Sequence, residues 1–243
     1  MLELSIVIPC LNEQYTIKAC IDKCFRFLEE YRIEGEVIVV DNGSTDASVE
    51  IIKSTRARLL HASVKGYGSA LRTGIRAAKG EYVLMGDGDD TYNFLEAYPF
   101  LQQLRQGYQL VMGNRFGGGI MKNAMPFTHR YIGNPLLSLM ARLLFHIDNF
   151  HDFHCGLRAF SRRDIEDLKL NTDGMEFASE LAIKACLAGY RTAEVPINLY
   201  AGDKRRKSKL RTVRDGLRHV AYMMRLKAEV KKRKNNSYAD KRI

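Results

Sequence analysis

Asp87 and Asp89 flank a single glycine in Gly86-Asp87-Gly88-Asp89-Asp90, directly after the apolar run Glu81 to Met85. Two carboxylates at i and i+2, on a turn leaving a buried strand, can address one hard cation through oxygen ligands. Mg2+ or Mn2+ suits such a site and completes its shell with substrate phosphates, so a diphosphate leaving group is the natural recipient of its charge. The plainer alternative is an acidic surface turn, since Asp-Gly is common turn chemistry; the strand in front of it favours the metal. Asp41 closes another apolar run, Glu36 to Val40, at a position where carboxylates accept hydrogen bonds from a ribose or base. Asp41, Ser44 and Asp46 also suit the capping of the helix that follows. Gly66-Tyr67-Gly68 precedes a helical stretch and can bring backbone amides to phosphate. It follows the third strand, not the first, which argues against a dinucleotide-binding dehydrogenase. His151-Asp152-Phe153-His154-Cys155 holds metal-ligand types, but no ligand pair of matching spacing lies elsewhere. A loop that closes over substrate is the preferred reading.

The elements that must position these residues alternate. Strands are predicted over Leu4 to Pro9, Glu36 to Val40, Arg58 to His61, Glu81 to Met85 and Leu110 to Met112, with helices over Glu13 to Tyr31 and Gly66 to Gly80 between them. That order predicts an α/β fold with a largely parallel, doubly wound sheet and flanking helices. Ligands in such sheets sit beyond the carboxyl ends of the strands. Asn12-Glu13, Asp41, and Asp87 with Asp89 each follow a strand end, so all should meet in one crevice.

The chain has 243 residues, 46% of them hydrophobic, enough for one substantial domain with a real core. No run approaches the roughly 20 apolar residues that span a bilayer; the best, Ile132 to Ile147, carries Asn134 and Arg142. The N-terminus does not read as a signal peptide, because Pro9 and Asn12 close its apolar run early. Five scattered cysteines fit reduced thiols in a cytosolic setting, with Cys20 and Cys24 as core residues. The net charge is +10, unevenly placed: residues 203–243 hold 16 of the 38 Lys and Arg but 4 of the 28 Asp and Glu. One end of the molecule therefore faces an anionic surface.

The motifs IVIPCLNE, VVDNGSTD, KGYGSALRTGI, GDGDDTY, GNRF, DFHCGLRAFSR and SKLR stand in this order between residues 2 and 226. The pattern resembles glycosyltransferase family 2, inverting enzymes of the GT-A (nucleotide-diphospho-sugar transferase) fold, and within it the polyprenyl-phosphate sugar synthases such as dolichol-phosphate mannose or glucose synthases. The resemblance implies transfer of a hexose from a nucleotide-sugar of the UDP-glucose or GDP-mannose type to a polyprenyl or dolichyl phosphate. It implies that Pro9, Asn12 and Glu13 line the nucleotide pocket, with Asp41 on base or ribose and Lys65 and Gly66 nearby. Asp87 and Asp89 would hold Mg2+ or Mn2+ and the donor diphosphate. Arg115, with Arg130, would meet the acceptor phosphate. Asp152, Cys155, Gly156 and Arg158 would close the acceptor side, and Glu180 would lie near the sugar. Arg205, Arg206, Ser208 and Lys209 would fold over the nucleotide phosphates. Two positions depart from the family pattern: Asn42 replaces a frequent second aspartate, and Lys207 stands where a glycine usually precedes SKL.

A lipid monophosphate, with a second pKa near roughly 6, is largely dianionic at neutral pH and needs no strong protein base, only cationic positioning. A sugar hydroxyl would need one, and Asp152 is then the candidate; a transferase acting on a glycan hydroxyl therefore stays open. From Ser208 to Leu226, Leu210, Val213, Leu217, Val220 and Met224 recur at helical spacing with Arg211, Arg214, Arg218 and Arg225 largely off the stripe. This is a basic amphipathic helix, suited to a lipid interface or to packing on the sheet. Ile132 to Ile147 offers a second apolar helix, for a lipid-chain groove or for the core. The expected organisation is a catalytic domain over 1–203, a basic loop and interfacial helix over 204–228, and a basic disordered tail over 229–243. The expected location is peripheral, on the cytoplasmic face of a membrane with an anionic surface. Many relatives continue into transmembrane helices, so the chain is a peripheral form or a truncated one, and a membrane-protein partner is conceivable. A nucleic-acid-binding module is disfavoured, because the tail lacks interleaved aromatics and the acidic crevice would repel phosphates without a metal.

Overall fold

A computed structural model of the chain describes residues 2–205 and 212–239, with side chains of the last helix described over 214–232. The elements run β1 (Leu4–Cys10), α1 (Ile17–Glu30), β2 (Gly35–Asp41), α2 (Ser48–Lys53), β3 (Arg58–His61), α3 (Tyr67–Ala77), β4 (Tyr82–Met85), α4 (Tyr98–Arg105), β5 (Leu110–Ile120), α5 (Asn134–Phe145), β6 (Arg158–Ser161), α6 (Arg162–Asp167), α7 (Phe177–Leu187), β7 (Thr192–Leu199) and α8 (Thr212–Ala239). The strands form one sheet in the order β3-β2-β1-β4-β6-β5-β7. All pairings are parallel except those of β6, which runs against both β4 and β5. The predicted α/β, largely parallel doubly wound sheet with flanking helices is therefore present.

Side chains alternate across a strand, so one apolar strand feeds two cores. Leu4, Ile6, Ile8 and Cys10 of β1 pack with Ile17, Cys20, Cys24 and Phe27 of α1 and with Phe100 and Leu104 of α4. Val7 of β1 and Ile38 and Val40 of β2 point the other way, into a core shared with α3, α5, α7 and α8. The cysteines are unpaired; Cys20 and Cys24 are buried core thiols, pushed well above the usual range by burial.

The sequence missed β6 and β7. β6 is four residues long, running directly into α6 at Arg162. β7 contains Pro196 at the sheet edge, the one place a strand tolerates the missing N–H. β5 also extends past Met112 through Gly117, Gly118 and Gly119, with a register shift against β7 between Asn114 and Gly119. A Cβ on Gly118 would stand 2.1 Å from the Ile197 carbonyl oxygen, so the glycines allow backbone to lie on backbone.

α8 packs through His219, Tyr222, Met223 and Leu226, which are buried, while Leu217 and Met224 stay exposed. The helix thus carries two apolar stripes. The one read from the sequence is the outer one, with Val220 half-buried, and Leu210 and the Val213 side chain lie outside the described residues. The helix continues through the expected boundary at 228/229 to Ala239.

Gly74 of α3 rests on the sheet so closely that a Cβ there would lie 2.4 Å from Val7 Cγ1 and 3.0 Å from Val40 Cγ2. Gly74→Ala is expected to lower unfolding free energy by about 1–2 kcal/mol in urea titrations, because overpacking outweighs alanine's helix propensity. A gain in stability would contradict this packing.

Candidate active site

The crevice follows from strand lengths. β1 pairs with β2 from Leu4 opposite Gly35 to Cys10 opposite Asp41, whereas β4 pairs with β1 only from Leu4 opposite Tyr82 to Val7 opposite Met85. β4 stops three residues before β1 does. The turn from Gly86 to Asp89 is therefore laid beside the end of β1, where Gly88 packs against Ile8 and the Pro9 carbonyl and its own carbonyl accepts from Thr16 Oγ1 at 2.8 Å.

The three aspartates at 87, 89 and 90 have different partners. Asp90 adopts φ +59° and turns to Lys23, 2.6 Å away. Asp89 is buried, with Oδ1 accepting from the Thr91 hydroxyl at 2.6 Å and the Thr91 amide at 3.1 Å. Asp87 Oδ1 accepts from the Tyr67 hydroxyl at 2.9 Å. Burial and the Asp87 charge push the Tyr67 phenol well above its usual pKa, so it remains a donor. Asp87 Oδ2 lies over Gly156, where a Cβ would stand 2.4 Å from it. Carboxylate oxygens are the donors a hard cation takes. The described residues contain no group of three or more His, Cys, Asp and Glu arranged around a metal, so a cation here would draw its other ligands from substrate and water, as Mg2+ usually does. The residues fit such an ion.

The β1 and β2 ends interlock above. Asp41 accepts from the Gly43 and Ser44 amides at 3.1 Å each. Burial would raise its carboxyl, but bonds from Ser44, Gly43 and His61 outweigh that and hold it below the usual range. Asn12, at φ +52°, donates its amide to Ser44 Oγ at 2.8 Å and accepts from the Thr45 amide at 2.7 Å. Glu13 is buried, its amide bound to Ser48 Oγ at 2.7 Å. Asn42 explains its own departure from aspartate: Nδ2 donates to the Val64 carbonyl at 2.9 Å while Oδ1 accepts from the Gly66 amide at 2.6 Å. An aspartate cannot do both. Lys65 is exposed beside this turn, its Cε 3.7 Å from where a Gly43 Cβ would be. Arg205 stacks over Tyr15 at 4.3 Å and pairs with Asp203 at 2.7 Å, which places it at the β1–α1 loop. Pro9, Asn12, Glu13, Asp41, Lys65, Gly66 and Arg205 are thus brought to one side. Ser208 and Lys209, like Arg206 and Lys207, lie outside the described residues.

On the far side, three expectations need correction. Asp152 was the candidate base, but it is fully buried and clamped by Arg115, with Nε to Oδ2 and Nη2 to Oδ1 both 2.7 Å and the Arg115 amide at 3.1 Å. A carboxylate so engaged faces Arg115, not a substrate hydroxyl. Burial opposes the Arg115 charge, yet Tyr92 and Asp152 outweigh it and raise its pKa well above the ordinary value. Arg158 was expected at the acceptor. Instead its side chain is sealed in, donating to the carbonyls of Cys155 (2.7 Å), Ala178 (2.7 Å) and Phe153 (2.9 Å). Glu180, expected near the sugar, is likewise buried and engaged within the protein: it accepts from the Asn171 and Thr172 amides, the Thr172 hydroxyl and Lys184.

The 152–156 segment is accordingly a fixed joint. Gly156 donates to Tyr92 Oη at 2.8 Å, and Asp152 donates its amide to Glu194 at 3.0 Å. Tyr67, Tyr92 and Thr91 were missed from the sequence, where only their adjacency to the glycine and aspartate motifs could have suggested them. Arg130 sits half-buried on a single π-helical turn, His129–Gly133, over Tyr131 at 5.3 Å. Its neighbour His129 is lowered by burial and then by the Arg115 charge, which puts this turn on the Arg115 side.

A family model described as glycosyl transferase family 2 matches residues 5–169. The low-salt glycan biosynthesis hexosyltransferase Agl6 of Haloferax volcanii is 37% identical over 222 residues, 91% of this chain and 53% of that protein. The chain therefore spans about half the length of that relative. The dolichyl-phosphate hexose transferase of the same organism is 31% identical over 195 residues, 80% of this chain and 82% of its own length. In fold, the chain resembles glucosyl-3-phosphoglycerate synthase of Mycobacterium tuberculosis, crystallised with Mn2+, UDP-glucose and phosphoglyceric acid. The TM-score is 0.74 at 23% identity, covering 93% of this chain and 80% of that one.

Removing one partner of a buried ion pair leaves an uncompensated charge, at about 3–5 kcal/mol. Asp152→Asn is expected to lose about that much in urea unfolding, and the double variant Arg115→Met with Asp152→Leu to lose less. Equal stability of Asp152→Asn and the parent would show that the clamp is not formed.

Proposed function

The chain belongs to glycosyl transferase family 2, and from that premise we propose that it is a metal-dependent, inverting hexosyltransferase carrying a hexose from a nucleotide-sugar to a polyprenyl or dolichyl phosphate at a membrane surface. The observation that carries this reading is that one short loop touches both sets of charged side chains, Gly156 under Asp87 and Asp152 on Arg115. Asp87 and Asp89 stand at the donor side, and Arg115 is locked at the acceptor side with the loop from 152 to 156 between them. Mg2+ or Mn2+, as in the Mn2+ complex of the Mycobacterium synthase, would neutralise charge on the departing nucleoside diphosphate. The name of the Haloferax transferase supports the acceptor class.

The chain's own residues divide the work. Tyr67 and Thr91 fix the orientation of the two carboxylates, so little reorganisation remains when substrate arrives. Asn12, Asp41 and Asn42 shape the turn that receives ribose and base, with Lys65 and Arg205 as cations at its rim. Arg115 is held by Asp152 with Nε and Nη2 engaged, so Nη1 is the edge turned away from its partner. The pair as a whole is neutral. Positive charge toward an acceptor phosphate is then assigned to Arg130, on the π-helical turn next to His129. Clamping Asp152 removes the candidate base for a hydroxyl acceptor, and this favours an acceptor that is already an oxyanion.

The membrane part of the proposal rests on an apolar face. Phe127 (70% exposed), Ile132 (57%), Leu136 (61%) and Leu143 (67%) stand outward just before and along the π-helical turn and α5, with Arg130 on the same turn. Residues 132, 136, 139 and 143 share one helix face, and Leu139 is exposed too. A contiguous exposed patch of this kind, rimmed by basic residues, marks an interaction surface suited to lipid. Among the described residues no helix is long and apolar enough to cross a membrane.

Asp87→Ala and Asp89→Ala are expected to lower transfer at least 100-fold in folded protein, and UDP or GDP should raise Tm only with Mg2+ or Mn2+ present. Tyr67→Phe should raise the metal concentration for half-maximal nucleotide binding about tenfold, following loss of a hydrogen bond to a charged group. Full activity in EDTA would sink the metal assignment. Arg130→Gln should raise KM for dolichyl phosphate about tenfold with little change in donor KM; an unchanged acceptor KM would remove Arg130 from the site. For the apolar face, Leu136→Glu with Leu143→Glu should reduce flotation with vesicles containing phosphatidylglycerol, without loss of Tm. Undiminished flotation would assign membrane contact to another surface.

A further inference from the structure

Behind the acceptor loop lies a chain of polar side chains that the proposed chemistry does not use. His154 of the loop meets Ser179 of α7 at 3.1 Å through Nε2, and Ser179 Oγ meets His219 Nδ1 of α8 at 2.8 Å. The two imidazoles stand edge to face at 4.6 Å. Ser179 and His219 are buried. Burial lowers both histidines below their usual pKa, with His219 at about 4, and the neighbouring charges of Arg158 and, for His154, Arg115 add to this. Glu176 and Asp215 act in the opposite sense on His219. Both rings are therefore neutral at pH 7.

A hydroxyl between two neutral imidazoles has one proton. It must donate to one ring nitrogen and accept N–H from the other, so the tautomer of each ring fixes that of its partner. His154 Nδ1 has no hydrogen-bond partner among the described residues although it is buried. A buried ring held from one side only is an exception to the usual satisfaction of polar groups, and such exceptions concentrate at functional sites. The chain ends on the loop that determines the crevice. Phe153 and Cys155, which flank His154, give their carbonyls to Arg158. Asp152 holds Arg115, and Gly156 lies under Asp87. At its other end, His219 sits two turns into α8, just after the segment that carries Ser208 and Lys209.

We propose that His219, Ser179 and His154 form a positioning link through which α8 holds the 152–156 loop, and with it the Arg115–Asp152 clamp, in the acceptor-receiving position. The three are positioning residues, acting through Asp152 and Gly156. Their consequence for acceptor binding rests on the transferase reading above; their grip on the loop does not. Helix α8 thereby becomes part of the acceptor site without touching the acceptor.

Hydrogen–deuterium exchange of the full chain tests the link directly, because the amides of Phe153, Cys155 and Gly156 are all hydrogen-bonded. His219→Phe and Ser179→Ala are expected to accelerate exchange over 153–157 about tenfold, with β1 and β2 unchanged, and His219→Asn to restore protection. In transfer assays with UDP-glucose, Mn2+ and dolichyl phosphate, the first two variants should raise acceptor KM about tenfold at unchanged donor KM. Unaltered exchange over 153–157, or acceleration spread evenly over the sheet in step with a fall in Tm, would overturn the link. Should His219→Phe fail to fold, Ser179→Ala carries the same comparison. Accelerated loop exchange without transfer to any acceptor would uphold the link and refute the acceptor assignment.

Discussion

A guanidinium without water must find its solvation shell in the protein, and that requirement at Arg158 organises one half of the crevice. The idealised desolvation of such a charge is on the order of 20 kcal/mol, so it survives only if carbonyls replace the lost water. Phe153, Cys155 and Ala178 supply them, and burial still lowers its pKa. The loop cannot relax away from this charge without leaving it unsolvated. Its conformation is consequently dictated from inside, and Asp152 and Gly156 inherit fixed places at the two sides of the crevice. Asp152 meets Arg115 on one side. Gly156 leaves room for the Asp87 carboxylate on the other, where any side chain would intrude.

Seen this way, the donor and acceptor sides are not independent. The loop joining them is held by β6 through Arg158, by β7 through Glu194, and by α5 through the bond from the Phe153 amide to Ser138. β6 is the strand that breaks the parallel pattern, and it brings Arg158 opposite Met85, the last residue before the aspartate turn. The antiparallel insertion is thus what carries the 152–156 loop to Asp87. A sheet continued in parallel would have placed the start of that strand, and the loop before it, at the opposite edge.

The aspartate side was legible in the sequence because its signals are local. Buried parallel strands read as apolar runs, so the places of Asp41, Asp87 and Asp89 at strand carboxyl ends could be found by counting. The acceptor half was not legible, because the fate of its charges depends on pairing across distance. Arg115 and Asp152 are 37 residues apart, and nothing in either neighbourhood says that they neutralise each other. Arg158 and Glu180, expected at the acceptor side and near the sugar, are engaged instead by backbone carbonyls and amides that no local pattern marks. Asn42 stood only as a departure from the family pattern for the same reason; its amide ties β2's end to the loop before α3 through one donor and one acceptor.

The terminal helix shows how a single sequence pattern can satisfy two physical demands. A stripe at 217, 220 and 224 was visible as amphipathic, and it could have meant lipid contact or packing. Packing is instead served by His219, Tyr222, Met223 and Leu226, offset by about two residues, which is close to half a helical turn. One stripe docks the helix on α7 and α5, and the other is left outward among Arg214, Arg218 and Arg225. Arg218 does both, ion-paired to Glu176 at 2.7 Å while remaining partly exposed. The inner stripe accounts for the buried histidine, since His219 meets Ser179 there, and the outer stripe leaves Leu217 and Met224 exposed on the opposite face.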